Sequence, residues 1–249
     1  MLPVDGCCGA PADQKKAAVT YSVRYTRKLL KRWGFTFQKP AFSAYEQDPG
    51  EVQKWLQQQY PYIRVKAKRQ QGLILWMDEL GLRSQHTSGK SYAPKGKTPV
   101  LGKSGNRFYL TMLTAISSLG HLIFTVEECN FNTAVYLRFL KKLLRSVKQK
   151  VFLITDKHPV HLGKMAREWL WANRKTMEVF YLPNYSPELN PVEYINQDIK
   201  TNVAGKRRTK DREELKMAVV AFANRKKKNP QQVKKYFQAP AVKYAAKPN

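Results

Sequence analysis

The stretch YLPNYSPELNPVEYINQDIK, residues 181–200, joins a short apolar run to a helix through a proline-rich turn. Asn190 is a good N-cap, Pro191 suits the first helical position, and Glu193 falls where a capping-box glutamate lies. Glu188 follows Ser-Pro and also suits a first helical turn. Both glutamates therefore have a structural explanation, and a catalytic role for either has to be decided from the rest of the chain.

Short apolar runs around that stretch predict a sheet. The runs GLILWMDE (72–79), VFLITD (151–156) and MEVFYLP (177–183) have the length and composition of buried strands. RFYLTMLTAIS and HLIFTVEE predict a hairpin, and helical periodicity covers Asn132 to Val147 and His161 to Arg174. The order strand, strand, strand, helix, strand, helix, strand, helix predicts an α/β fold, with a mixed sheet flanked by helices.

Both ends of the chain are predicted to be helical and basic. Tyr21 to Trp33 carries one apolar helical face, with Ser22 as a cap and Gly34 as a stop. The segment DPGEVQKWLQQQYPYIRVKAKRQQ predicts a linking helix that ends near Pro61. A tail helix is predicted over Asp211 to Arg225.

Basic residues fill the outer positions of these end segments. They can be a solvated helix face, or they can grip DNA, with the first helix as the last helix of a DNA-binding module. The candidate DNA-binding residues are Arg24, Arg27, Lys28, Lys31 and Arg32 at the front and Lys226, Lys227 and Lys228 in the tail.

The net charge of the chain predicts a polyanionic partner. The 249 residues include 45 Lys+Arg and 18 Asp+Glu, a formal charge of +27. With 43% hydrophobic residues the chain can bury a core, which excludes a wholly disordered basic tail. Nucleic acid is the commonest polyanion, and its binding weakens steeply with salt.

The cysteines and the apolar runs indicate no export and no membrane. The odd set of Cys7, Cys8 and Cys129 gives no disulfide framework, so a reducing compartment is expected. The uncharged run over 108–126 is broken by Ser117, Ser118 and Gly120, so it predicts two buried strands rather than a membrane span. No apolar signal core is present in the first 20 residues.

Two aspartates end predicted central strands. Asp78 and Asp156 would face one crevice, because ligands of open α/β sheets bind at the carboxyl ends of strands. The chain between Asp156 and Glu193 is long enough to return a helix to the same edge. Each aspartate alone could also be an ordinary turn former.

Three clustered carboxylates repel and need a compensating cation. One pair at about 4 Å costs on the order of 4 kcal/mol at an effective dielectric of about 20. A lysine could compensate, but Mg²⁺ would also activate water, and two such ions can hold both oxygens of a phosphoryl displacement.

Four segments carry a resemblance to a known family. LWMDELGL, YAPKGKTPVLG, FLITDKHPVH and above all YLPNYSPELNPVEYINQDIKTNV resemble the DDE transposases of the Tc/mariner-like insertion-sequence superfamily, over roughly residues 20–225. This family has an RNase H-like catalytic core. The resemblance implies that Asp78, Asp156 and Glu193 are the catalytic, metal-binding triad. It also implies supporting roles for Glu79 and His161, whereas Glu188 shapes the turn. His161 could equally be a packed histidine at the start of a helix.

The activity implied by the resemblance is DNA transposition. Mg²⁺ or Mn²⁺, as two ions, would serve hydrolysis of the phosphodiester at the transposon end, after which the freed 3′-hydroxyl attacks target DNA. The implied partners are double-stranded DNA at transposon ends and targets, bound by a homodimer. The implied location is the prokaryotic cytoplasm, at the nucleoid.

Some positions depart from the family pattern. Lys157, Asn184 and Asn196 stand where the family usually has Asn, Pro and Trp, and the segment before the core is short for two helix-turn-helix units. The sequence therefore leaves open an N-terminally truncated copy, and two alternative functions: a catalytically inactive DNA-binding remnant, or an RNase H-like structure-selective nuclease.

These readings divide the chain into four parts. We expect an unstructured leader over 1–19, a partial helix-turn-helix and linker helix over 20–70, the RNase H-like catalytic domain over 71–205, and a basic C-terminal helix and tail over 206–249.

Overall fold

A five-stranded mixed sheet forms the centre of the protein in a computed structural model, which describes residues 21–37, 44–83, 92, 94–97, 107–204 and 209–247. The strands are β1 (Leu73–Arg83), β2 (Tyr109–Ile116), β3 (Leu122–Glu127), β4 (Val151–Thr155) and β5 (Met177–Tyr181). Their order is β3-β2-β1-β4-β5, antiparallel from β3 to β1 and parallel from β1 to β5. The predicted hairpin and mixed sheet are confirmed.

Nine α-helices lie within the part of the chain that the structure describes. They are α1 (Val23–Arg32), α2 (Pro49–Lys54), α3 (Tyr60–Arg69), α4 (Thr133–Ser146), α5 (Pro159–Leu162), α6 (Lys164–Ala172), α7 (Val192–Ile199), α8 (Arg212–Lys227) and α9 (Pro230–Lys235). π-helical turns follow α2 (Trp55–Gln59) and α7 (Lys200–Ala204), and short 3₁₀ turns cover Pro187–Leu189, Tyr236–Gln238 and Pro240–Ala245. None of these described helices is long and apolar enough to cross a membrane.

The two faces of the sheet pack against different helices, because side chains alternate along a strand. Leu75 and Met77 of β1 pack in one hydrophobic cluster with α4. Ile74 and Trp76 pack in the other, with α3, α7 and α8. The sheet is therefore covered by helices on both faces.

The chain divides into two compact units, Met1–Ser43 and Ala44–Asn249. In the first, Ser22 caps α1 by accepting a bond from the Tyr25 N–H (3.2 Å), and Gly34 follows with φ 81°, as predicted. In the second, the linker and tail helices share the hydrophobic cluster of the sheet. The predicted division of the chain into four parts stays a prediction. Its leader over 1–19 lies outside the described residues.

The predicted end of the linking helix near Pro61 is wrong. The helix continues through Pro61 to Arg69, with a π-helical turn over Trp55–Gln59 immediately before it. A proline inside an α-helix lacks an N–H and its ring meets the carbonyl four residues earlier, so the wider π turn accommodates it. Buried Tyr60 and Ile63 hold the continued helix on the core.

The single helix predicted over His161 to Arg174 is also wrong. The structure has α5 and α6, separated by Gly163 in an extended conformation (φ −60°, ψ 152°). His161 lies in the short first helix and is fully buried. The break at Gly163 lets α5 hold His161 against the end of β4 while α6 runs separately.

Candidate active site

The strand register brings Asp78 and Asp156 to the same level of the sheet. Trp76 of β1 pairs with Ile154 of β4, and each aspartate lies two residues further along its parallel strand. The prediction that β1 ends in its acids is wrong, since β1 continues to Arg83 as the antiparallel partner of β2. Asp78 therefore lies where β1 loses its pairing with β4, and its side chain is 8% exposed.

Asn190 ties the turn that carries Glu193 to β1. Its Nδ2 donates a hydrogen bond to the backbone oxygen of Met77 (3.2 Å), next to Asp78. Its Oδ1 accepts one from the N–H of Val192 (3.1 Å), which fixes the start of α7. Because these bonds join α7 to β1 beside Asp78, Glu193 in the first turn of α7 faces the same region.

Glu193 does not complete a capping box in the structure, because its carboxylate does not accept the Asn190 N–H. In a capping box the glutamate accepts a bond from the N-cap N–H. The N–H of Asn190 instead donates to the backbone oxygen of Pro187 (2.9 Å). The Glu193 carboxylate is thus available for the cleft.

One cleft of about 430 Å³ collects the three acids predicted to be catalytic. Asp78, Asp156 and Glu193 all line it. Exposed Lys157 lies on its wall, as does the turn before α7. Three separate elements thus deliver carboxylates to one opening bordered by a cation.

Asn196 holds the buried carboxylate of Asp78. Its Nδ2 donates a hydrogen bond to Asp78 Oδ2 (2.8 Å), and Asn196 is 1% exposed. Burial raises the pKa of Asp78 well above its usual range, and the charge of nearby Glu193 raises it further. Burial also raises the pKa of Glu193, although the charge of Lys200 and a hydrogen bond with Asp78 oppose the rise.

Asp156 is held as a carboxylate by His161. Its Oδ1 lies 2.9 Å from His161 Nδ1 and accepts a hydrogen bond from the backbone N–H of His158 (3.2 Å). Burial alone would raise the pKa of Asp156, but the hydrogen bond and charge of His161 keep that pKa below its ordinary value. The surroundings therefore lower the pKa of Asp156 and raise the pKa of Asp78.

Glu79 approaches the same edge from the opposite face of β1. One ligand atom from each of Glu79, Asp156 and His161 lies within 4.8 Å of the others. Burial raises the pKa of Glu79 to about 7, and the charge of Asp156 contributes to the rise. The two residues expected to support the triad are thus brought to Asp156.

The donor set fits a hard divalent cation. Carboxylate oxygens are preferred ligands of Mg²⁺, and burial together with neighbouring carboxylates raises the pKa values of Asp78 and Glu79. Within the described part of the chain, the buried Oε2 of Glu79 has no hydrogen-bond partner. Asp78, Asp156 and Glu193 could hold such an ion, with Glu79 beside them.

Two partners of the site were not identified from the sequence. In the sequence Asn196 stands out only as a departure from the family pattern, although its spacing from Glu193 puts both on one face of α7. Gln47 carries no local signal, yet its Nε2 donates to Tyr185 O (3.0 Å) and Glu188 Oε1 (2.7 Å). The bond to Glu188 agrees with a structural role for that glutamate.

The basic residues predicted to bind DNA occupy different settings. The five at the front lie on the exposed surface of α1, and Lys227 and Lys228 are exposed at the end of α8. Lys226 instead forms an ion pair with Asp198 Oδ2 (2.7 Å), and its side chain is 17% exposed. The tail lysines are therefore not equivalent.

Family models match two parts of the chain. Residues 73–216 match the model described as DDE superfamily endonuclease, and residues 14–59 match the winged helix-turn helix. The first match runs from the start of β1 into the beginning of α8 and includes every carboxylate of the cleft. A comparison with curated proteins gives no match.

Solved structures of a transposase share the fold. The Mos1 strand transfer complex matches 95% of this chain and 76% of its own, with 16% identity and a TM-score of 0.61. The mariner Mos1 paired end complex with Mg matches 94% and 77%, with 14% identity and a TM-score of 0.62. The catalytic domain of Mos1 mariner transposase matches 83% and 98%, with 14% identity and a TM-score of 0.52.

These likenesses confirm the expected RNase H-like α/β fold. The front segment that the sequence assigned to a DNA-binding module overlaps the helix-turn-helix match. With more than half of its length matched by the DDE model, the chain belongs to the DDE superfamily endonucleases, as its resemblance to Tc/mariner-like DDE transposases implied.

Proposed function

We propose that this protein is a transposase that cleaves DNA at the end of an insertion sequence and joins the freed end to target DNA. The observation that supports this most directly is the convergence of Asp78, Asp156 and Glu193 in one cleft. The winged helix-turn helix match and the charge of +27 support DNA as the substrate.

The reaction consists of two displacements at phosphorus. In the first, water adds to the phosphodiester and the bond to the 3′ oxygen breaks, leaving a 3′-hydroxyl and a 5′-phosphate. In the second, that hydroxyl adds to a target phosphodiester, and the target 3′ oxygen leaves. Mg²⁺ or Mn²⁺, as two ions, would supply Lewis acidity and an activated nucleophile when bound.

The residues of the chain orient these groups. Asp78, Asp156 and Glu193 would hold the cations, with Asn196 fixing Asp78 and His161 fixing Asp156. Glu79 supports the site beside Asp156. The exposed Lys157 on the cleft wall is placed to contact a DNA phosphate.

The assembly and setting are part of the same proposal. The Mos1 structures include a paired-end complex with a left transposon end. By analogy, two copies of this chain would bind double-stranded transposon ends and target DNA as a homodimer, in the prokaryotic cytoplasm at the nucleoid.

Nicking of supercoiled plasmid in Mg²⁺ or Mn²⁺ tests the chemistry. Asp78→Asn, Asp156→Asn and Glu193→Gln should each abolish nicking while leaving DNA binding intact. Glu188→Gln is the matched control in the same turn, and it should nick like the wild type. Full nicking by Glu193→Gln would remove Glu193 from the triad.

The same preparation separates the alternative functions. Wild-type protein that binds DNA but never nicks it with either metal would be an inactive remnant. Protein that nicks but cannot join an oligonucleotide with a free 3′-hydroxyl to plasmid would be a structure-selective nuclease. Metal-dependent nicking together with joining supports the transposase.

A further inference from the structure

The backbone of Tyr185 is in the left-handed region, with φ 53°. Among the described residues, the other non-glycine residue with positive φ is Gln71, which follows the end of α3. The left-handed conformation costs a residue with a Cβ roughly 1–2 kcal/mol, and such strain is concentrated at functional sites. Tyr185 lies in the turn before α7, which lines the acidic cleft.

The surrounding contacts hold the backbone of this turn. Gln47 Nε2 donates to Tyr185 O and to Ser186 Oγ, both at 3.0 Å. Ser186 is 3% exposed, and its Oγ donates to Asn184 O (3.1 Å). The strained conformation is therefore fixed by neighbours on both sides of Tyr185, through backbone and hydroxyl groups.

The ring of Tyr185 is held open to solvent. Tyr185 is 59% exposed, and it lines the same cleft as Asp156 and Glu193. Burial of the ring in the core thus does not explain the strained backbone. The turn instead presents a flat aromatic surface beside the carboxylates.

An aromatic ring beside a site for phosphodiester chemistry suits a nucleobase. Stacking of a base on an aromatic side chain is worth about 1–3 kcal/mol and tolerates any base, because every base has a π-face. That gain is large enough to offset the strain. Bases inside a duplex have both faces covered, so the partner must be an unpaired base at a strand end or a flipped one.

We propose that Tyr185 stacks on the unpaired base next to the scissile phosphate and so positions the DNA strand in the cleft. This inference rests on the proposed function, since it requires DNA as the substrate. Gln47 is then a positioning residue, because it acts through the backbone of Tyr185 and not through the DNA.

Fluorescence of 2-aminopurine tests the stacking directly. The probe is a short duplex with a 3′ single-stranded extension that carries 2-aminopurine at one of several positions, in Mg²⁺ buffer. Wild type and Tyr185→Phe should quench the fluorescence at one position next to the duplex junction. Tyr185→Ala should lose that quenching and bind the probe about 10-fold more weakly.

Two further variants exclude a purely structural effect. Tyr62→Ala is the matched control, because Tyr62 is 58% exposed and lines a different groove, and it should quench like the wild type. Tyr185→Gly relieves the positive φ, so its melting temperature should not fall below that of wild type while its quenching is lost.

Unchanged quenching by Tyr185→Ala would overturn the stacking proposal, as would wild-type protein that quenches at no position. Nicking of plasmid by the same preparations reports separately on catalysis. Quenching without nicking would support stacking while it contradicts the proposed reaction.

Discussion

Asp78 accepts a hydrogen bond from the side-chain amide of Asn196 in α7. Its Oδ2 accepts the Nδ2–H of Asn196 inside the protein, and its pKa is already raised by burial. A buried carboxylate that loses its donor costs about 1–3 kcal/mol unless it takes up a proton. The donor therefore favours the ionised form of Asp78, against burial and the neighbouring carboxylates, which raise its pKa.

Replacing Asn196 by leucine should shift the pH dependence of cleavage. Without the donor, the pKa of Asp78 rises further, so the acid side of the pH–rate profile of nicking moves to higher pH and more Mg²⁺ is needed. Gln197→Leu is the control, because Gln197 bonds only to the neighbouring helical residue Thr201 in the described structure. An Asn196→Leu profile that coincides with wild type would show that Asn196 has only a packing role.

Glu79 should make the metal-free protein less stable as pH rises. Burial raises its pKa in the fold from 4.5 to about 7, so the folded state binds the proton more tightly than the unfolded state. The stabilisation is complete below pH 4.5 and is lost as pH rises through about 7. Wild type should lose on the order of 3 kcal/mol of stability across that interval through Glu79, and Glu79→Gln should not show this loss.

Urea unfolding in EDTA at the two ends of that interval measures the effect. The comparison between Glu79→Gln and wild type isolates Glu79 from the other carboxyl groups that titrate nearby. Glu127→Gln is a suitable control, because Glu127 lies in β3 and pairs with Arg138 (3.0 Å). Equal pH dependence in wild type and Glu79→Gln would contradict the raised pKa.

The turn before α7 is held by segments from both ends of the second unit. Gln47 bonds it from the linker, and Tyr244 from the tail: the Tyr244 hydroxyl donates to Leu189 O (2.9 Å) and accepts from Trp55 Nε1 (3.0 Å). The Tyr244 ring packs against Tyr60 with centroids 4.9 Å apart. Leu189 adjoins Asn190, so the tail supports the turn that places Glu193.

Tyr244→Phe should slow cleavage without weakening DNA binding. Loss of the hydroxyl leaves the Leu189 carbonyl without its donor and the Trp55 N–H without its acceptor, at a cost of about 1–3 kcal/mol. We expect nicking at saturating DNA to fall several-fold because the Glu193 turn loosens. The measurements are single-turnover nicking and urea unfolding.

Tyr236→Phe is the matched control in the same tail. Its hydroxyl bonds Asp198 Oδ2 (2.5 Å) at the opposite end of α7 from Glu193, so this variant should lose stability but keep its cleavage rate once folded. Equal slowing in both variants would show a general effect of stability and would contradict a positioning role for Tyr244.

The elements of the sheet could be predicted because their signals are local. Each strand is a short apolar run, and Asn132 caps its helix through a bond to the Val135 N–H (3.1 Å). The exception at Pro61 arose where packing overrides a local signal, whereas at Gly163 a glycine in an extended conformation interrupts the helical periodicity. The bond from Tyr244 to Leu189 spans 55 residues, so no pattern within either segment predicts it.

In the candidate site too, features with a local signal could be predicted, whereas contacts between distant segments could not. Asp78 and Asp156 could be placed at one edge because parallel strands align their ends, and the structure brings both to one cleft. The strained turn at Tyr185 could not be predicted, because tyrosine carries no local preference for positive φ. The turn is bonded by Gln47, which lies far away along the chain.

The molecule as a whole is strongly basic, whereas its cleft contains three carboxylates. A formal charge of +27 favours contact with DNA over much of the surface, and each lysine that neutralises a phosphate releases counterions. A lysine that is already paired with a carboxylate of the protein should release fewer counterions on DNA binding than an exposed one. The three adjacent tail lysines allow this comparison, because Lys226 is paired and Lys227 and Lys228 are exposed.

Lys227→Gln and Lys228→Gln should each lower the dependence of DNA affinity on salt, by about one in the log–log slope. Lys226→Gln should leave that slope unchanged, because its Nζ is paired with Asp198 and lies over the rings of Phe222 (5.0 Å) and Tyr236 (5.6 Å). Lys226→Gln should lower the free energy of unfolding instead.

Fluorescence anisotropy over a salt series measures the slope, and urea unfolding measures the stability. A slope that falls equally in all three variants would show that Lys226 leaves Asp198 to bind phosphate, and a slope unchanged in all three would make the segment a solvated tail.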